Sequence, residues 1–146
     1  MADATISHYY AADHDQLDEL FGRFQSSTKS DRSMARHLFA EFMAGLERHS
    51  AWEEDLLFPL FEAHTGMRTA GPTAVMRDEH RQIKHFLELI DSKLQGADSA
   101  TDEDEAGLLE ILAAHNSKEE HILYPAIDQQ VSVRERDGVF VRMGKG

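Results

Sequence analysis

Apolar side chains recur along this chain at alternating steps of three and four residues, the spacing that lines one face of a helix packing into a bundle. Four such stripes are present. The first runs Tyr10, His14, Leu17, Phe21, Phe24, and the second Phe39, Phe42, Leu46, His49, Glu53, Leu56, Leu60. The third gives Met76, His80, Ile83, Leu87, Ile90, Leu94, and the fourth Leu108, Leu112, His115, Glu119, Ile122, Ala126. Polar or glycine-containing breaks separate them at Gln25 to Ser33, Thr65 to Pro72 and Gly96 to Thr101. Thr101 followed by Asp104 has the form of a capping box opening the fourth helix. Pro59 and Pro125 are expected to end or kink their helices. Short connections make consecutive helices antiparallel neighbours. The pattern therefore predicts an all-α fold, an up-and-down antiparallel four-helix bundle over residues 1–130. Residues 131–146 show no helical stripe and are expected to form a C-terminal tail, docked or loose.

Six positions in these stripes are not apolar: His14, His49, Glu53, His80, His115 and Glu119. A lone histidine on such a face is ordinarily a satisfied core residue, but here six polar residues need one explanation. An unpaired ionised carboxylate in a bundle core costs several kcal/mol, ~3 or more. Neither Arg nor Lys shares the stripes at that level, so a cation is required and a bound metal supplies it. Spacing sharpens this. His49 and Glu53 are four apart, as are His115 and Glu119, so each pair shares a helix face. His14 and His49 lie symmetrically about the first break, with their midpoint between Asp31 and Arg32. His80 and His115 lie symmetrically about the third, with theirs between Ala97 and Asp98. Residues equidistant from a turn lie at one height in an antiparallel pair, so all six converge on one level.

The chain also repeats itself. His49-x3-Glu53-Glu54-x2-Leu57-Phe58-Pro59 matches His115-x3-Glu119-Glu120-x2-Leu123-Tyr124-Pro125, and Asp13-His14-x-Gln16-Leu17 matches Glu79-His80-x-Gln82-Ile83, both displaced by 66 residues. Two like hairpins facing each other create an approximate two-fold axis. A site on that axis naturally holds two metals, each with two histidines, bridged by the two glutamates.

Composition narrows the chemistry. The chain has 146 residues, about one domain's worth, and carries 15 basic against 27 acidic side chains for a formal charge of −12. That charge disfavours nucleic acid and anionic membrane surfaces. With no cysteine there are no disulfides, cysteine-held iron–sulfur clusters or thiol chemistry. No apolar stretch has the length of a membrane span, and the N-terminal residues do not read as a signal peptide, which makes a cytoplasmic location the expectation. Imidazole with carboxylate suits iron, manganese or zinc, and six ligands with two bridging carboxylates favour a dinuclear octahedral centre over structural zinc. Two octahedral ions offer about twelve positions, of which about two stay exchangeable, roughly one per metal.

The paired H-x3-E-E-x2-L-[FY]-P segments resemble those of the hemerythrin-like family, the HHE cation-binding domain, with the likeness extending over about residues 8 to 130. The resemblance implies two non-haem iron ions, oxo- or hydroxo-bridged, with His14, His49, His80 and His115 as terminal ligands and Glu53 and Glu119 as bridges. It implies a protein that binds or senses oxygen or nitric oxide at an open di-iron site. The alternative is a di-iron oxidoreductase acting on nitric oxide or peroxide, or an iron donor for repair of iron–sulfur centres. A sensor would need a protein partner for signal output, and an enzyme one for electron donation. The oxygen carriers of the family have a fifth histidine where this chain has Met76, and their last carboxylate lies five residues after its histidine rather than four. The set of four histidines and two glutamates more closely resembles the repair and sensor branches. Tyr10, one turn before His14, is either a hydrogen-bonded core residue or a group approaching an open iron position, and Met76 is its partner in the repeat. Glu54 and Glu120 are expected as outer carboxylates. His8, His37, His85 and His121 fall off the stripes and are expected in solvent, and His64 lies too far along its helix to be a ligand.

Overall fold

Each stripe becomes a helical rod in a computed structural model that describes residues 5–96 and 100–144. The first rod is α1 (Ile6–Ser27). The second joins α2 (Arg32–Trp52) through a π-helical turn, Glu53–Leu57, to α3 (Phe58–Thr65). The third is α4 (Pro72–Gln95). The fourth joins α5 (Asp102–Lys118) through a second π-helical turn, Glu119–Leu123, to α6 (Tyr124–Gln130), and α7 (Val133–Arg142) follows. No strand occurs among the described residues, and no helix among them is long and apolar enough to cross a membrane.

Local chemistry sets the ends. The side chains of Thr5 and Asp31 accept backbone N–H groups of His8 and Met34, capping α1 and α2. Gly66 ends α3 at φ 74°, a left-handed conformation that other residues adopt at a cost. Helix α1 runs to Ser27 and α2 starts at Arg32, so the first break is shorter than its polar composition suggests. Thr101 does precede α5, but without the expected box. Its hydroxyl donates to Glu105 at 2.5 Å, and Asp104 instead accepts from Lys93 Nζ at 2.7 Å. The midpoint between Ala97 and Asp98 lies outside the described residues.

Pairings along the rods show their directions. Phe24 meets Phe39 at 5.1 Å, Phe21 meets Phe42 at 4.8 Å, and His14 meets His49 at 4.6 Å between ring centres, so α1 and α2 run antiparallel. The Lys93–Asp104 and His80–His115 pairs do the same for α4 and α5. The backbone N–H groups of Ile6 and Ser7 donate to Asp128, which fixes the start of α1 beside the end of α6. A Cβ added at Gly45 would come within 2.8 Å of Leu17 Cδ2, so α1 and α2 approach closely there.

The apolar interior forms two clusters with the six polar residues between them. One contains Phe21, Phe24, Phe39, Phe42, Leu87 and Leu108; the other contains Tyr10, Leu57, Phe58, Leu123, Tyr124 and Ile127. In the second cluster the stripes depart from the sequence pattern by one residue. Leu57, Phe58 and Phe61 are buried where Leu56 and Leu60 were expected, and Leu123, Tyr124 and Ile127 where Ile122 and Ala126 were expected; Ile122 is 63% exposed. The cause is the π turn, which adds a residue to one turn and rotates everything after it. The same turns absorb Pro59 and Pro125. The N–H of Phe58 reaches five residues back, to Glu53, and that of Tyr124 to Glu119, so the ladder is already displaced before each proline and the rod continues.

The expectation of a stripeless tail is corrected. Residues Val133–Arg142 are helical, opened by a capping box of Ser132 and Glu135, and buried Val139 and Met143 dock the helix against the second cluster. Two apolar residues one turn apart are too short a stripe for periodicity to register, although Ser-x-x-Glu was visible.

Candidate metal centre

His14, His49, His80, His115, Glu53 and Glu119 are all buried, and they meet in the layer between the two clusters. Their Nε2 atoms face the carboxylates: His80 to Glu53 at 3.0 Å, His49 to Glu53 at 3.5 Å, His14 to Glu119 at 3.2 Å and His115 to Glu119 at 3.3 Å. Two groups have ligand atoms mutually close enough to hold one ion each: Glu53, His80, His115 with Glu119, and His14, His49 with Glu119. Glu119 belongs to both.

The outer nitrogens are held just as regularly. His14 Nδ1 lies 2.7 Å from Glu120, His49 Nδ1 2.7 Å from Asp13, His80 Nδ1 2.6 Å from Glu54 and His115 Nδ1 2.8 Å from Glu79. An ionised carboxylate only accepts, so each Nδ1–H donates outward and each Nε2 faces the centre, where a bound cation would take the place of any proton it holds. Every acid is the sequence neighbour of one inward-facing residue but clamps a histidine on the next rod. Asp13 of α1 holds α2, Glu54 holds α4, Glu79 holds α5, and Glu120 returns to α1. The four clamps form a closed ring. Lys118 donates to Glu79, and Arg77 lies 3.7 Å from Glu54.

Glu54 and Glu120, expected as outer carboxylates, lie against His80 and His14, while the contacts of Asp13 and Glu79 were not anticipated, although both sit in the repeat beside a histidine. Tyr124 was missed as well. Its hydroxyl lies in the centre, 2.6 Å from Glu53 Oε2 and 2.9 Å from Glu119 Oε1. The signal was available, because Tyr124 is the repeat partner of Phe58 and differs from it by one polar atom. Tyr10 is a core residue whose hydroxyl turns away from the centre to Met143 Sδ at 3.3 Å, with its ring edge-on to His49 at 5.2 Å. Met76 is buried in the second cluster. His8, His37, His85 and His121 are exposed, and His64 pairs with Glu135 at 3.0 Å.

Whether these residues suit a cation is decided by their electrostatics. Glu119 Oε2 is buried with no hydrogen-bond partner, an arrangement that a protein-only core does not tolerate cheaply. Burial, then the charge of Glu53, raises the Glu119 carboxyl well above the usual range. Burial opposes charge on Glu53 too, but His49 and the surrounding hydrogen bonds outweigh it and hold that carboxyl low. His49 is also subject to burial, which disfavours its cation, yet the Glu53 charge and the Asp13 hydrogen bond carry its pKa up to about 10. Without a metal, the core therefore borrows protons to balance two facing carboxylates. A divalent ion would replace them, and the donor set of imidazole and carboxylate fits iron.

Two surface grooves follow the two-fold repeat. A groove of about 370 Å³ between α2 and α4 is lined by Glu54, His80, Arg81 and Lys84. Its counterpart between α1 and α5, about 400 Å³, is lined by Asp18, Asn116, Glu120 and His121.

A family model described as the hemerythrin HHE cation binding domain matches residues 5–127. The iron-sulfur cluster repair protein YtfE of Edwardsiella ictaluri is 34% identical over 92 residues, covering 58% of this chain and 41% of that protein. The protein of the same name from an Enterobacter species is 27% identical over 138 residues, covering 84% of this chain and 63% of the relative. The chain thus spans less than two thirds of the length of these relatives. No solved structure matches it.

Proposed function

We propose that this chain, which belongs to the hemerythrin HHE cation-binding domain family, is an antiparallel four-helix bundle that holds two iron ions and donates iron in the repair of iron–sulfur centres. His14, His49, His80 and His115 would be the terminal ligands and Glu53 and Glu119 the bridges. The observation that carries the reading is the buried layer itself: four imidazoles with inward Nε2 atoms around two carboxylates, one of which has an orphaned oxygen. When bound, the irons supply redox chemistry and positions for a small ligand. The protein's own part is to orient the imidazoles through the outer ring of acids, to keep water out with the two apolar clusters, and to move protons as metal enters or leaves. The repair role rests on the names of the relatives. A second reading, binding or sensing of oxygen or nitric oxide with a protein partner for output or electron transfer, is supported by the groove between α2 and α4, which His80 lines. The proposal includes a cytoplasmic location, where ferrous iron and damaged clusters occur together.

Chain produced with adequate iron is expected to contain about two iron atoms, the ligand count of a dinuclear bundle site. Elemental analysis finding one firmly held zinc and no iron would sink the reading. Metal uptake should also release protons. At pH 7 the metal-free layer keeps a proton on Glu119 and on His49, since both pKa values are raised above neutrality, and both must be lost to bind metal. Ferrous affinity should therefore rise with pH from about 6 to 8. Calorimetric titration in buffers of different ionisation enthalpy measures the release, and an enthalpy independent of buffer would refute it.

A further inference from the structure

One repeat position inside the centre differs between the halves by a single oxygen atom. Phe58 and Tyr124 are repeat partners, and each ring stacks on a candidate ligand: Phe58 on His80 with centres 5.8 Å apart and planes at 16°, Tyr124 on His14 at 5.8 Å and 29°. The frames match, but only Tyr124 carries a hydroxyl. That oxygen is 2.6 Å from Glu53 Oε2, 2.9 Å from Glu119 Oε1, 3.2 Å from His49 Nε2 and 3.4 Å from His14 Nε2. It therefore sits among the three residues of one metal-holding group, His14, His49 and Glu119. No contact of this hydroxyl with His80 or His115 appears among the described residues.

An ion bound by imidazole nitrogen and carboxylate oxygen needs them at about 2.0–2.2 Å. An oxygen already in hydrogen-bond contact with both Nε2 atoms and both carboxylates stands in the space such an ion would use. To admit it, the hydroxyl must give up its hydrogen bonds, that to the ionised Glu53 carboxylate among them, and withdraw, although the ring is fully buried and packed 5.2 Å from Tyr10. The Phe58 half has no such requirement.

We infer that the Tyr124 hydroxyl is a placeholder for the ion at His14 and His49, so that this ion is the weaker of the two and the first to leave. The inference rests on the di-iron reading and deepens it, because it identifies which iron would be given up. Losing a hydrogen bond to a charged group corresponds to about a ten-fold or larger change in affinity.

The test is anaerobic titration of the metal-free full chain with ferrous iron, followed by release to a chromogenic chelator, in the parent and in Tyr124→Phe. The parent should bind two ions with constants at least about ten-fold apart and release them in two phases. Tyr124→Phe should bring the constants within about three-fold and merge the phases, and adding Phe58→Tyr to it should separate them again. Phe58→Tyr alone, with a hydroxyl in each half, should weaken the tighter site about ten-fold, which keeps the test open if Tyr124→Phe folds poorly. Two equal constants in the parent, constants unchanged in Tyr124→Phe, or an unaltered tight site in Phe58→Tyr would each overturn the inference while leaving the di-iron reading intact. A phenolate-to-iron charge-transfer band in the oxidised parent, lost in Tyr124→Phe, would also overturn it, by showing that the hydroxyl stays as a ligand. Uptake of one ion or none by the parent would remove the di-iron reading itself.

Discussion

Glu119→Ala is expected to purify with little or no iron and to bind added ferrous iron at least about 100-fold more weakly than the parent. Substituting an outer-shell partner already costs about 10- to 100-fold in metal affinity, and Glu119 is no outer partner. Among the described residues it is the one carboxylate common to both groups that could hold an ion, with Oε1 3.2 Å from His14 and 3.3 Å from His115, and its other oxygen is buried with no hydrogen-bond partner. Glu53→Ala should be nearly as damaging, because Glu53 faces His49 and His80. The metal-free Glu119→Ala chain should nevertheless fold, since it no longer has to bury a second carboxyl beside Glu53, one that is pushed to hold a proton there. Iron content and circular dichroism measured on these variants beside His8→Ala, His37→Ala and His85→Ala separate loss of ligand from loss of fold. Equal iron across all five would remove the argument from the layer.

Asp13→Ala is expected to lower iron affinity about 10- to 100-fold, the range for outer hydrogen-bond partners of a ligating histidine. Its effect should appear first on His49, across the helix pair, and not on its sequence neighbour His14, because the 2.7 Å clamp runs from Asp13 to His49 Nδ1. Glu79→Ala should act likewise on His115 and not on His80. Nitrogen-15 spectra of the metal-free variants, with the histidine rings labelled, report which imidazole loses its fixed Nδ1–H tautomer. A disturbance confined to His14 in Asp13→Ala would show that the ring of clamps is not what orients the ligands. Asp13→Asn should fall between parent and alanine variant, since an amide oxygen still accepts a hydrogen bond but without the charge.

Much of the centre was legible because helix period and antiparallel symmetry are both arithmetic. The distance of His14 and His49 from the first break, and of His80 and His115 from the third, was enough to set their height, and the four-residue step to Glu53 and Glu119 set their face. Beyond those glutamates the same arithmetic failed. Periodicity assumes a constant 3.6 residues per turn, and a π turn breaks that assumption without altering composition, which is why Leu56 and Ile122 were read as core in place of Leu57 and Leu123. The outer ring was half legible. Glu54 and Glu120 were recognised as adjacent acids, but an acid that clamps a neighbouring rod looks, in one sequence, like any half-exposed carboxylate. Tyr124 was hidden because aromatic residues at helical spacing ordinarily mean packing, and its hydroxyl has meaning only once three other chains of contact are brought to it.

The two π turns also constrain how this chain can change length. Each adds a residue immediately after the run that places two successive acids, Glu53 with Glu54 and Glu119 with Glu120, in different roles, the first facing inward and the second clamping sideways. A codon deleted at Asp55 or His121 would remove the extra residue and leave Phe58 or Tyr124 on its buried face, whereas a codon deleted in a regular stretch of either rod would turn the following segment by about 100°. The segments after both turns meet in one apolar cluster, so a phase-changing deletion in one half would clash with the unaltered phase of the other. Changes of length should therefore concentrate in the connections and at the two π turns, and be rare in the regular stretches between them.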